Sequence, residues 1–116
     1  MSELSVLKKR ADFLRAARGR SQGTPGFHLQ ARERAEEESS DTPIRVGFTC
    51  SKKVGNAVAR NRAKRRLREI ARLVLPECGQ AGWDYVLIGR RDATDQRPWE
   101  DLLGDLRRAL AQIHDG

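Results

Sequence analysis

Between Cys50 and Arg72 the chain reads CSKKVGNAVARNRAKRRLREIAR, and this stretch limits the possible folds more than any other. At 3.6 residues per turn from Asn56 onward, Ala63, Leu67, Ile70, Ala71 and Val74 fall within one arc about a third of the circumference wide. That is the stripe of a helix packed on an apolar core. Asn61, Lys64, Arg65, Arg68 and Arg72 share one flank, with Arg62 and Arg66 on the other shoulder. The stretch holds nine basic side chains against the single acid Glu69, a surplus of +8, whereas the whole chain carries +7. The positive charge therefore belongs to one helix and its lead-in. A helix that merely faces solvent interleaves acids with bases, because opposite charges at i,i+4 stabilise and like charges repel. Here Arg60, Lys64, Arg68 and Arg72 form an i,i+4 row of one sign. Between residues 60 and 72 arginine outnumbers lysine six to one, as bidentate contact with phosphate favours. The pattern calls for a polyanion along the exposed side.

At 116 residues the chain is read as one domain, 1–116, with a single modest core. Aromatic residues make up 5% against 38% hydrophobic overall, so Leu, Val, Ile and Ala must fill that core. A pI near 10.2 again asks for an anionic partner. No apolar run approaches the ~18 residues of a membrane span, so no membrane partner is expected. The opening MSELSVLKKRADFL lacks the apolar centre and cleavage site of a signal peptide, which predicts a cytoplasmic protein. Cys50 and Cys78 have neither CxxC spacing nor companion histidines, and are read as two reduced, partly buried thiols.

In chain order, residues 8 to 20 predict a short helix closed by Gly19 at a left-handed cap. This segment carries six basic residues against Asp12; outside it and the central stretch, eight basic residues face fourteen acidic ones. Ser21 to Gly26 reads as a loop. Phe27 to Arg32 alternates as a strand with Phe27, Leu29 and Ala31 inward, and Ile44 to Cys50 as a second. The acidic residues 33–43 between them read as a flexible hairpin connection. Asn56 is placed as a helix N-cap, and the loop before it, with Lys52 and Lys53, as a phosphate cradle. The central helix is expected to stop before Pro76. Trp83 to Gly89 has the apolar run of a buried strand. Pro98 opens a last helix with Trp99, Leu102, Leu103, Leu106, Leu110 and Ile113 on one face. The order αββαβα implies an α+β sandwich.

Catalytic chemistry is hard to find in the polypeptide. The carboxylates lie mostly in the 33–41 segment or on the polar side of the last helix. His28 and His114, at opposite ends of the chain, read as incidental surface histidines, and no phosphate-loop or zinc spacing occurs. The chain reads as a binder.

The run Ser51-Lys52-Lys53-Val54-Gly55-Asn56-Ala57-Val58-Ala59-Arg60-Asn61-Arg62-Ala63-Lys64-Arg65 closely resembles the signature of the bacterial ribonuclease P protein component. Leu7-Lys8-Lys9-Arg10 with Asp12-Phe13, Arg45-Val46-Gly47-Phe48 and Asp84-Tyr85-Val86-Leu87-Ile88-Gly89-Arg90 are similar to other parts of that family, and the likeness spans roughly residues 7 to 113. The resemblance implies a two-layer α–β sandwich of a kind also found in a ribosomal protein, with a small sheet and a left-handed βαβ crossover. It implies the protein subunit of a ribonucleoprotein whose catalytic RNA removes the 5′ leader of precursor tRNA. No residue would be catalytic and no cofactor bound by the protein alone, the magnesium ions being held by the RNA. The partners would be the catalytic RNA and precursor tRNA, and not DNA. The catalytic RNA face carries over to Lys52, Lys53, Asn56, Arg60, Asn61, Arg62, Lys64, Arg65 and Arg68. The cleft for the leader carries over to Lys8, Lys9, Arg10, Phe13, Phe27, Arg45 and Arg90. Two aromatics common in the family are replaced here by Ala17 and Gln30, which shifts leader contact toward charge and hydrogen bonds. A structural rRNA-binding protein without a role in cleavage is the rival reading.

Overall fold

The fold is described by a computed structural model covering residues 4–35 and 44–115. Among the described residues nine strands and α-helices follow one another: β1 (Leu4–Val6), α1 (Arg10–Ala17), β2 (Arg20–Gly23), β3 (Phe27–Glu33), β4 (Ile44–Thr49), α2 (Ala57–Cys78), β5 (Trp83–Gly89), α3 (Ala93–Gln96) and α4 (Trp99–Asp115). The strands form one sheet in the order β1-β4-β5-β3-β2. β1, β4 and β5 run parallel, and β3 and β2 antiparallel to their neighbours.

Alternation along the strands assigns the two faces. Phe27, Leu29 and Ala31 of β3, Val46 of β4, and Tyr85 and Leu87 of β5 point into the main core with Leu67, Ile70 and Val74 of α2 and Leu102, Leu106 and Leu110 of α4. Val86, on the opposite face of β5, joins a smaller cluster with Leu7, Ala16 and Phe13, which seats α1. Phe13 reaches the sheet because Gly47 has no side chain: a Cβ there would stand 2.6 Å from the ring.

The α+β sandwich holds, and the apolar stripes of α2 and α4 are the ones read from the sequence. Five local expectations are corrected. Two short strands, β1 and β2, flank the three expected ones, and α3 precedes the last helix. Ser21 to Gly26 is therefore a strand and a turn, in which Thr24 Oγ1 accepts from the Phe27 N–H at 2.9 Å. β3 and β4 are not a hairpin, since β5 pairs with both and lies between them; residues 36–43 of their acidic connection lie outside the described residues. Gly19 is not left-handed. The helix ends at Arg18 in right-handed geometry, and Gly19 is needed because a Cβ would meet the Ala31 carbonyl oxygen at 2.3 Å. Finally, α2 runs through Pro76. Proline removes one backbone donor in the last turn, and the buried Val74 and Leu75 hold that turn regardless.

Candidate nucleic-acid interface

The lead-in to α2 is built by two side-chain caps. Ser51 Oγ accepts from the Lys53 N–H at 3.3 Å, starting a 3-10 turn over Lys52–Val54. Asn56 Oδ1 accepts from the Ala59 N–H at 2.9 Å and opens α2. Between them Gly55 takes φ 144°, a backbone angle that favours glycine, and a Cβ there would meet the Ala59 side chain at 2.9 Å. The first turn of α2 holds no acidic residue, although carboxylates are favoured beside a helix N-terminus. Lys52 and Lys53 are exposed beside it.

Along α2, Asn61, Arg62, Arg65 and Arg68 are exposed, while Arg60 and Lys64 are half-buried. Arg68 lies over the Phe48 ring at 5.6 Å. Among the described residues, Lys52, Lys53, Arg60, Lys64, Arg65 and Arg68 make no ion pair with a carboxylate of the protein. Three arginines of the same helix behave differently. Arg72 pairs with Glu69 one turn back. Arg62 Nε donates to Asp95 Oδ1 at 2.6 Å. Arg66 donates to the carbonyls of Thr94, Asp95 and Arg97 at 2.8, 2.5 and 2.7 Å and lies 5.7 Å from the Trp99 ring. Arg66 thus fastens α2 to the connection between β5 and α4. Nothing in its immediate sequence separates it from its neighbours; only its place on the shoulder of the helix hinted at a separate role.

On the other face of the sheet, a cleft of about 410 Å³ opens between β1, α1 and β4, lined in part by Lys8, Lys9, Asp12, Arg15 and Arg45. Lys8, Lys9 and Arg10 are exposed. Arg45 reaches Asp84 with two nitrogens, at 2.8 and 2.6 Å, and Asp12 at 3.6 Å. Asp84 is fully buried and also receives Arg34 at 2.6 Å, with Arg32 at 3.7 Å. Arg90 lies at the far end of the same face beside Gly23 and His28. Phe13 lies against Gly47 under α1, and Phe27 leaves the cleft altogether. With no exposed surface in the α2–α4 core, the Phe27 ring cannot stack on a base. The family resemblance puts Phe27 in the cleft, whereas strand alternation turns it inward, where the structure has it.

Another fully buried carboxylate, Asp105 of α4, binds Arg97 at 2.6 and 3.0 Å and Arg108 at 2.8 Å. The sequence signal for both acids was an aspartate set in an apolar run or on an apolar face. Among the described residues no group of three or more His, Cys, Asp or Glu side chains is placed to hold a metal ion. Cys50 and Cys78 are free thiols, and burial pushes the Cys50 thiol up.

His114 is a structural histidine, not an incidental one. Its Nε2 lies 2.7 Å from the Tyr85 hydroxyl, which also accepts from the Gln80 N–H at 2.9 Å. Its ring meets the Trp83 ring edge-on at 4.6 Å. Burial pushes the Tyr85 phenol up to about 12. Burial first, and the Arg20 charge second, hold His114 below its ordinary 6.5; burial and then Arg90 do the same to His28. A histidine whose folded value is lowered favours the neutral form, so the unfolded chain binds the extra proton. The stability it contributes is complete above pH 6.5 and declines as pH falls below that toward the lowered folded value. Urea midpoints measured between pH 7.5 and 5.5 are expected to fall, with a shallower decline in His114→Gln. An equal decline in both proteins would remove His114 as a cause.

The profile of the Ribonuclease P family matches residues 1–114. The chain is 66% identical over 113 residues to the ribonuclease P protein component of Ruegeria pomeroyi, covering 97% of this chain and 89% of that one. With the ribonuclease P protein component of Paramagnetospirillum magneticum it shares 51% identity, covering 97% and 84%. The solved RNase P protein of Staphylococcus aureus superposes with a TM-score of 0.72 at 31% identity, covering 93% of this chain and 95% of that one. That of Thermotoga maritima gives 0.70 at 25% identity, covering 90% and 92%.

Proposed function

The chain belongs to the ribonuclease P protein family, and from that premise we propose that its α2 face binds the catalytic RNA of a tRNA-processing ribonucleoprotein. The cleft between α1 and the sheet takes the single-stranded 5′ leader of precursor tRNA. The observation that carries this reading is the set of six cations along α2 and its lead-in, unpaired by carboxylates among the described residues. Like charges at i,i+4 repel, and a row of phosphates relieves that repulsion while releasing counterions. Lys8, Lys9 and Arg10 extend the positive surface to the cleft mouth. Asn56 acts through the helix it caps, and Arg45 through its fixed place in the cleft wall.

In this role the protein performs no bond-breaking step. It holds leader and catalytic RNA in register and lowers substrate dissociation. Asp84 and Asp105 are occupied by arginines, so they offer no place for magnesium, which we assign to the RNA. Neutralising phosphates near the cleavage site would let those ions bind at lower concentration. The test is cleavage of precursor tRNA by protein alone, by catalytic RNA alone and by the mixture at low magnesium. Activity mainly in the mixture is expected. Equal activity of RNA with and without protein would favour the rRNA-coating alternative, and activity of the protein alone would overturn both.

A further inference from the structure

Arg62 sits within the basic face yet is ion-paired, and the way it is paired is informative. Among the described residues only its Nε is engaged, by Asp95 Oδ1 at 2.6 Å, and its side chain remains 57% exposed. Among the described residues neither Nη group, the fork that grips a phosphate, takes part in that bond. Asp95 itself is held: it lies on α3, whose backbone carbonyls at Thr94 and Asp95, with that of Arg97 beyond, accept from Arg66. The neighbouring Thr94 is fully buried, its hydroxyl donating to the Gly26 carbonyl at 2.5 Å and accepting from the Arg90 N–H at 2.8 Å. The carboxylate is thus mounted on a connection tied to α2 and to the β2–β3 turn.

We propose that Asp95 is a positioning residue for RNA recognition, orienting the Arg62 guanidinium so that its two outer nitrogens meet a phosphate without further ordering. This rests on the reading that α2 faces RNA, and adds to it a residue outside the basic segment. A long side chain loses rotamer freedom when it is immobilised at an interface; here that loss is incurred on folding. The prediction runs against simple charge counting, since removing an acid from a basic surface should otherwise strengthen binding to a polyanion.

The test is binding of the full-length protein to the catalytic RNA over a potassium chloride series. Asp95→Ala is expected to bind about three- to tenfold more weakly, with the salt slope of the unmodified protein. Asp95→Leu, which keeps bulk but no acceptor, should weaken binding alike. Asp95→Asn, whose Oδ1 still accepts from Nε, should bind as the unmodified protein does. Arg62→Ala should lower the salt slope by about 0.7–0.9, and in that background Asp95→Ala should cost nothing more. Equal or tighter binding by Asp95→Ala would overturn the proposal, as would the same loss with Arg62 absent. An unmodified protein whose affinity ignores salt would overturn the parent reading together with it.

Discussion

Replacing Arg60, Lys64, Arg65 and Arg68 together by alanine is expected to remove the low-magnesium stimulation of precursor tRNA cleavage while leaving the protein folded. Each phosphate neutralised contributes ~0.7 to the salt slope for single strands and ~0.9 for duplex. Losing four contacts should therefore flatten the slope for catalytic RNA by about three units. High magnesium should restore much of the activity, because the ion then supplies the screening that the arginines supplied. Stability should change little. Removing the like-charge contacts among Arg60, Lys64 and Arg68 gains a few tenths of a kcal/mol each, against roughly 0.5–1 kcal/mol for Arg68 lost from the Phe48 ring. A variant that folds, retains the full salt slope and still stimulates cleavage would place the RNA on another face.

Asp84→Ala is expected to have the largest effect on stability. The carboxylate is fully buried beneath Arg34, whose side chain is 3% exposed, and Arg45, which grips it with two nitrogens. Removing the carboxylate that several buried or half-buried arginines share takes away a counter-charge they are packed around, at about 3–5 kcal/mol. For a domain whose total stability is on the order of 5–15 kcal/mol, that is a large fraction. The same substitution at Asp12, a buried carboxylate that meets the half-exposed Arg15 at 3.2 Å and Arg45 only at 3.6 Å, should cost less, because solvent screens its nearest partner. Urea denaturation of the two variants measures the contrast. A loss at Asp84 no greater than that at Asp12 would mean that the arginines there do not depend on it.

Much of the interface could be read in one dimension because a helix is a local object. The cap at Asn56, the inward stripe from Ala63 to Val74 and the one-signed row at Arg60, Lys64 and Arg68 all lie in one continuous stretch of the chain. Strand pairing is not local. β2, with the sequence Arg-Ser-Gln-Gly, has no apolar alternation and exists because β3 offers it a ladder. β1, only three residues long, likewise depends on the ladder that β4 offers it. Phe27 shows the danger of carrying a role across by position alone, since its face is set by register against Gly89 of β5.

The order of residues was enough to place a basic helix on an apolar core and to fix its start and its inward side. Periodicity and capping act over one or two turns, and both survive without knowledge of what lies across the molecule. Which arginines stay available was decided only in three dimensions. Arg62 and Arg66 are engaged by carbonyls and a carboxylate some thirty positions away in the chain, and Arg45 by Asp84, 39 positions away. Contacts closed over such loops depend on how the sheet is ordered, which is settled by joint burial of all its strands.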